Sequence, residues 1–181
     1  MSKKELTEKI EAPQGVTISR DANELTISGP KGSVKRKFNN PKIKLEAAGN
    51  VITMSVKAAS KREKAVLHAY VAHLKNYFEG VQNPFVYKLK ICSGHFPMNV
   101  SISNKTLIIK NFLGEKVPRQ VKLKEGVTIK VDGNSIVLES PDKELAGQTA
   151  ADIEQATRRP GFDPRIFQDG IYIIEKSGKM I

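Results

Sequence analysis

This chain of 181 residues has a single cysteine, no tryptophan and no long apolar run. Cys92 is the single cysteine, so no disulfide can form within the chain, which is typical of a reducing compartment. Tryptophan is absent, and no apolar run approaches the roughly 18–20 residues that a membrane helix needs. Residues 1–6 are rich in charge and lack the apolar stretch of a secretion signal. These absences predict a cytoplasmic globular protein with no membrane partner.

Side chains that catalysis and metal binding require are also scarce. His68 and His73 are five positions apart, which places them on different faces of a helix, and His95 is the third histidine. One further histidine and one cysteine do not supply the four ligands of a zinc site. Gly29-Pro30-Lys31-Gly32 lacks the spacing of a phosphate-binding P-loop. The sequence therefore predicts no enzyme, with no catalytic residue, no metal, no cofactor and no small-molecule substrate.

Basic residues, in contrast, are abundant. Thirty lysines and arginines against nineteen acidic residues leave a formal charge of +11. Residues 1–80 hold fifteen basic and eight acidic side chains, a balance of +7, and residues 81–181 hold fifteen and eleven, a balance of +4. A charge of this size opposes self-association and attracts polyanions, of which nucleic acid is the commonest. We therefore expect a monomer that binds an acidic partner.

A duplication organises the chain. Val16–Ser19 returns as Val100–Ser103, and Gly49-Asn50 returns as Gly133-Asn134, both 84 residues later. A period of this length fits a duplicated domain rather than a solenoid repeat. The predicted fold class is therefore α+β, a tandem duplication of a unit made of an antiparallel β-sheet plus one α-helix.

The predicted boundaries follow from changes in hydrophobic periodicity. Residues 1–14 are interpreted as an N-terminal leader, helical or frayed, and residues 15–82 as the first α+β unit. Residues 83–157 are the second α+β unit. Residues 158–181 have no counterpart in the first copy, and we interpret them as a basic C-terminal extension that packs on the second unit, its short strand closing a sheet edge.

Two local signals define the first unit. Ile52, Met54 and Val56 alternate with polar residues, which predicts a strand with one apolar face. Ser60 and Glu63 have the spacing of a capping box, which predicts the start of a helix.

Glycine and proline provide three more predictions. Gly80 is expected to end the helix of the first unit. Gly114–Leu123 is predicted to be an edge or bulged strand because it contains Pro118. Pro141 is expected at the first position of the second helix, where the missing amide has little consequence.

The basic side chains of the extension lie on predicted loop and tail, where they are able to reach phosphates. The guanidinium group of arginine binds phosphate oxygens with two hydrogen bonds. The residues concerned are Arg158, Arg159, Arg165, Lys176 and Lys179. Three aromatic residues accompany them and are able either to pack in the core or to stack on bases, namely Phe162, Phe167 and Tyr172.

Four stretches give the chain a resemblance to a known family. They are Ser28–Gly32, His95–Val100, Asn111–Lys116 and Asp163–Tyr172. The last two are the specific ones. Together they resemble the universal large-subunit ribosomal protein six family, numbered nine in eukaryotes, in its archaeal type. One departure is visible, because Phe162 stands where the family pattern leads us to expect a basic residue.

The resemblance implies a fold of two similar α+β units and a structural role in the large ribosomal subunit. It implies binding to large-subunit ribosomal RNA near the factor-binding region, close to the sarcin–ricin loop and the stalk base, with neighbouring ribosomal proteins as further partners. It also implies that the second unit and its tail make much of the RNA contact. It adds four candidate RNA-binding residues to the five of the extension, namely His95, Lys110, Lys116 and Arg119.

Two other functions are compatible with the charge alone. A protein–protein adaptor without an RNA role would use the larger basic excess of the first unit to bind an acidic protein. A nucleic-acid-processing enzyme would need an acidic cluster to hold a metal ion, and the sequence does not show one.

Overall fold

The computed structural model describes residues 5–21, 23–57 and 59–181. The chain divides into two compact units, Met1–Pro84 and Phe85–Ile181. In both, strands come first and a long helix follows, so the α+β class is confirmed.

The first unit, in its described residues, contains six strands and one long helix. The strands are β1 (Leu6–Glu11), β2 (Thr17–Asp21), β3 (Glu24–Gly29), β4 (Gly32–Lys37), β5 (Ile43–Ala48) and β6 (Val51–Val56), and the helix is α1 (Lys61–Gln82). They form two antiparallel three-stranded sheets rather than the single predicted sheet, in the orders β1-β6-β5 and β2-β3-β4. The predicted apolar face of β6 is confirmed, since Ile52, Met54 and Val56 are buried with Leu67 and Leu74 of α1.

The capping box at the start of α1 is also confirmed. The Glu63 carboxylate accepts hydrogen bonds from the backbone and hydroxyl of Ser60. The prediction that Gly80 ends the helix is wrong, because α1 continues to Gln82. Val81 is fully buried, and burial of this side chain favours a further half turn of helix over a left-handed conformation at Gly80.

The interpretation of residues 1–14 as a helical or frayed leader is wrong for residues 6–11, and residues 1–4 lie outside the described part of the chain. Leu6–Glu11 is strand β1, paired with β6 so that Ile10 lies opposite Ile52. Leu6 and Ile10 are four positions apart, a spacing that fits one face of a helix or of a strand equally well. Pairing with β6 decides between the two.

The second unit contains the same order of elements and an addition. Its strands are β7 (Phe85–Cys92), β8 (Asn99–Ser103), β9 (Thr106–Lys110), β10 (Arg119–Lys122), β11 (Thr128–Asp132), β12 (Ser135–Ser140), β13 (Gly170–Lys176) and β14 (Lys179–Met180), and its helix is α2 (Lys143–Ala156). Two antiparallel sheets have the orders β10-β9-β8 and β11-β12-β7-β13-β14. Thus β7 occupies the position of β1, and β13 lies on the other side of β7.

Strand β7 is the centre of the larger sheet, and the sequence analysis assigned it to no element. Phe85, Tyr87, Leu89 and Ile91 are all buried on one face of it. The strand of the extension is an inner strand, because β13 pairs with β7 on one side and with β14 on the other.

Two predicted boundaries in the second unit are wrong. Helix α2 begins at Lys143, since the side chain of Asp142 caps it by accepting the amides of Glu144 and Leu145, and Pro141 precedes the cap. The strand predicted at Gly114–Leu123 is shortened to β10, an edge strand that begins directly after Pro118. In the part of the chain that the structure describes, no helix has both the length and the apolar character needed to cross a membrane.

Candidate nucleic-acid interface

Three loops of the second unit converge on one surface, which we call the loop surface. They are residues 93–98 after β7, residues 111–118 before β10, and residues 157–169 between α2 and β13. The Asn111 side-chain amide donates to the Pro97 carbonyl oxygen at 3.0 Å, and the Phe96 ring lies over Gly114. The Arg159 guanidinium lies 3.4 Å from Glu115. Contacts between residues distant in sequence therefore hold the three loops together.

A buried carboxylate fixes the first of these loops. Asp169 is only 2% exposed at its side chain, and its Oδ1 accepts the amides of Gly94 and His95 at 2.8 and 3.0 Å. Its Oδ2 lies 2.5 Å from Nδ1 of His95. Burial by itself would raise the pKa of Asp169, but the hydrogen bonds from His95 and Gly94 outweigh it and lower the pKa. Asp169 is therefore a charged anchor, and its buried carboxylate is paired with His95 and the two backbone amides.

Aromatic rings continue outward from this anchor. The His95 ring stacks on Phe167 with 5.0 Å between centroids, and Phe162 meets Phe167 edge-on at 4.9 Å. The guanidinium carbon of Arg159 lies 4.3 Å from the Phe162 centroid, a cation–π distance. The series thus begins at a buried aspartate and ends at a partly exposed arginine.

A second carboxylate organises the arginines. The Glu115 carboxylate accepts two hydrogen bonds from the Arg119 guanidinium group, at 2.8 and 2.6 Å. Nη1 of Arg119 donates to the carbonyl oxygens of Ala156 and Arg158 at 2.7 and 3.2 Å. The Arg119 hydrogen bond is the main reason that the pKa of Glu115 is lowered, with the charges of Arg119 and Arg159 adding to it. Arg119 therefore joins β10 to the end of α2 from inside the unit.

An open cavity of about 520 Å³ lies between the end of α2, the 157–169 loop and the 3-10 turn at Phe112–Gly114. Its lining includes Leu113, Gln155, Phe162, Phe167 and Tyr172, with Arg158 and Arg159. The Tyr172 ring lies close to Gly170, where an added Cβ would be 3.1 Å from its Cζ and hydroxyl oxygen. Partial burial, then the neighbouring Cys92, Asp169 and Glu154, raise the pKa of Tyr172, so the phenol is neutral.

The structure divides the nine predicted site residues into three groups. His95, Lys110, Lys116, Arg158 and Arg165 are exposed on or beside the loop surface. Arg119 and Arg159 are partly buried, with 25% and 34% of their side chains exposed. Lys176 and Lys179 face each other across β13 and β14, and the length of β13 places them about 20 Å along the strand from Asp169.

The sequence analysis missed the two carboxylates on which the loop surface depends. Asp169 contacts a residue 74 positions away, and no local pattern in the sequence signals that contact. Glu115 lies four positions before Arg119, but outside a helix this spacing has no predictive value.

Within the described ranges, no three His, Cys, Asp or Glu side chains are grouped in a way that would hold a metal ion. The site offers cations, aromatic faces and a cavity.

Known proteins are similar in sequence to this chain over nearly its whole length. The sequence model of the family described as "Ribosomal protein L6" matches the chain twice, over residues 12–83 and 96–170, which supports the duplication. Proteins named "Large ribosomal subunit protein uL6" are similar over nearly their full length. That of Methanosarcina mazei is 46% identical, covering 96% of this chain and 99% of the relative, and that of Nanoarchaeum equitans is 46% identical, covering 96% and 94%. The one from Methanococcus vannielii is 42% identical and covers 97% of both chains.

These matches include the loops of the site as well as both copies of the unit, and the relatives are archaeal. The chain therefore belongs to the ribosomal protein L6 family, whose members are structural, non-enzymatic components of the large ribosomal subunit.

Proposed function

We propose that the loop surface binds large-subunit ribosomal RNA near the factor-binding region, close to the sarcin–ricin loop and the stalk base. The protein is then a monomer within the cytoplasmic ribosome, in contact with neighbouring ribosomal proteins. It stabilises the tertiary structure of the RNA and performs no reaction.

The observation that carries this proposal is the pairing of carboxylates with structural partners on the inside of the loop surface. The Asp169 carboxylate is hydrogen-bonded to His95 and Gly94, and the Glu115 carboxylate is hydrogen-bonded to Arg119. The exposed side chains of Lys116 and Arg158 add positive charge to the same surface. The outward field is therefore positive, which suits a phosphate backbone.

The rigidity of the surface supports the positioning role. Hydrogen bonds and stacked rings hold the loops in one arrangement before RNA arrives, so little conformational entropy is lost on binding. Phosphate contacts fix the register and orientation of a protein on RNA without reading its sequence. We assign direct phosphate contacts to Lys110, Lys116, Arg158, Arg159 and Arg165, and a positioning role to Arg119 and His95. Lys176 and Lys179 provide a separate contact on the β13–β14 hairpin.

The experiment measures binding of the full-length chain to a ribosomal RNA fragment that contains the sarcin–ricin loop and the stalk base. We expect log K to fall linearly with log salt concentration, with a slope of several units if about eight phosphates are neutralised. The double variant Lys116→Ala/Arg158→Ala should reduce that slope by roughly 1.5.

The matched control is Lys44→Ala/Lys130→Ala, which removes the same charge from exposed strand positions elsewhere. Its slope should stay near that of the unmodified chain. Equal effects of the two double variants would contradict the loop surface as the contact. Chemical footprints away from the sarcin–ricin loop and stalk base would contradict the location, and salt-insensitive or absent RNA binding would favour the adaptor function.

A further inference from the structure

The cavity beside the loop surface has a composition that phosphate binding does not explain. Asp169 and Glu154 contribute to its lining along with apolar rings. Glu154 holds the Ile173 amide at 3.0 Å through one carboxylate oxygen. The two carboxylates inside the cavity disfavour a phosphate there, and the apolar rings beside them favour an uncharged aromatic group.

Two aromatic side chains of the cavity are partly exposed to solvent. Phe162 is 40% exposed and Tyr172 is 42% exposed, although burial of such rings is favourable. Phe167 lies between His95 and Phe162 and is held by both. Partly exposed rings that neighbours hold in place in a concave site are suited to stacking on another flat ring.

The rim differs from the interior. Arg158 and Arg159 lie on the same lining but belong to the basic loop that follows α2. Arg158 is exposed, and the Arg159 guanidinium lies against Phe162 and Glu115 with 34% of its side chain exposed. The volume of about 520 Å³ lies in the range of pockets that hold small organic groups, roughly 300–1,000 Å³.

The geometry points to this cavity as a receptor for one unstacked nucleobase of the RNA, an inference that rests on the proposed function and names what one part of the surface binds. The base stacks on the rings of the cavity while Arg158 and Arg159 hold its flanking phosphates. A paired RNA helix cannot enter a concave site of this size, so the nucleotide comes from a loop, bulge or end.

The test uses the full-length chain and the same ribosomal RNA fragment, with two changes on the protein and one on the RNA. Gln155→Trp fills the cavity from an exposed lining position without changing charge. Tyr172→Leu removes a ring face and keeps an apolar side chain. Gln120→Trp, at an exposed position of β10 outside the lining, is the matched control. On the RNA, footprinting identifies the unpaired nucleotide whose base is protected on binding, and an abasic site then replaces it.

We expect Gln155→Trp, Tyr172→Leu and the abasic RNA each to weaken binding by roughly tenfold, within the range for loss of one stacked base. The salt slope should not change, because no charge is removed, and Gln120→Trp should bind as the unmodified chain does. If the unmodified chain binds with a steep salt slope but no unpaired base is protected, or if a base is protected and the abasic RNA binds equally well, the base receptor is wrong and the proposed function stands. Failure of the unmodified chain to bind the RNA overturns both the base receptor and the proposed function. The RNA measurements use the unmodified chain, so they decide the question even if a protein variant does not fold.

Discussion

Nδ1 of His95 lies 2.5 Å from Oδ2 of Asp169, and this contact joins the loop after β7 to the start of β13. The same carboxylate accepts two backbone amides of the loop, so one side chain orders three donors. Because β13 pairs with β7 directly beyond Asp169, the contact also closes the sheet next to the loop surface.

Replacing Asp169 by alanine should destabilise the second unit. The amides of Gly94 and His95 would lose their acceptor in a partly buried position, with a cost of about 1–3 kcal/mol in the free energy of unfolding. Urea unfolding of the full-length chain, followed by circular dichroism at neutral pH, measures this. An unchanged unfolding midpoint would show that water replaces the carboxylate without loss.

The pH dependence of the same contact has a definite sign. The folded-state pKa of Asp169 lies below its ordinary value of 3.8, because hydrogen bonds outweigh the burial that would raise it. Its contribution to stability is therefore fully present above pH 3.8 and is lost as the pH falls through the lower folded-state pKa. The Asp169→Asn variant should show a smaller loss of stability below pH 3.8 than the unmodified chain. If the free energy of unfolding fell equally for the two proteins below pH 3.8, a lowered pKa of Asp169 would be contradicted.

The pKa of Glu63 in the first unit is also lowered, so its contribution to stability should depend on pH with the same sign. The hydrogen bond from Lys42, at 2.7 Å, and those from Ser60 lower its pKa from 4.5 to about 2. The stabilisation is present above pH 4.5 and disappears as the pH falls towards 2. Titration of the Glu63 carboxyl by nuclear magnetic resonance should give a midpoint near 2, and Lys42→Met should raise that midpoint because it removes the largest cause. A midpoint that does not respond to Lys42→Met would assign the shift to the capping box alone.

Gly29 should not tolerate a side chain. A Cβ added there would lie 2.8 Å from both Cγ2 and the carbonyl oxygen of Val81, and that carbonyl accepts the Lys31 amide at 3.0 Å. Backbone cannot give way as a flexible side chain does, so Gly29→Ala should destabilise the first unit by about 1–3 kcal/mol. Gly94→Ala is the control, since an added Cβ there approaches Asp169 only to 3.9 Å. Urea midpoints that shift equally for both variants would contradict the steric cause.

Arg119 and Arg158 should separate stability from RNA binding. Arg119→Lys keeps the charge but loses the two-pronged contact with Glu115, so the free energy of unfolding should fall by about 1–3 kcal/mol while the salt slope of RNA binding stays the same. Arg158→Ala should leave the unfolding free energy nearly unchanged and lower the salt slope by roughly one. An Arg119→Ala variant whose salt slope falls as much as that of Arg158→Ala would show that Arg119 contacts phosphate.

Signals between near neighbours in the chain were sufficient for much of the fold. The alternation of Ile52, Met54 and Val56 predicted a buried face, and Ser60 with Glu63 predicted the start of α1. Both depend on the period of a strand or on the geometry of a single helical turn. Leu6 and Ile10 fit two periods, and only pairing with β6 decided that they belong to a strand.

The sequence by itself determined the duplication, the α+β class, the excess of positive charge and the basic character of residues 158–179, since each is a property of composition or of local spacing. Tertiary structure alone decided that β13 lies beside β7, that Asp169 binds His95, and that Arg119 serves the interior while Arg158 stays exposed. The physical reason is the distance along the chain. A carboxylate and a histidine separated by 74 positions meet only when the sheet between them has formed, and their partnership leaves no trace in the residues that adjoin either one.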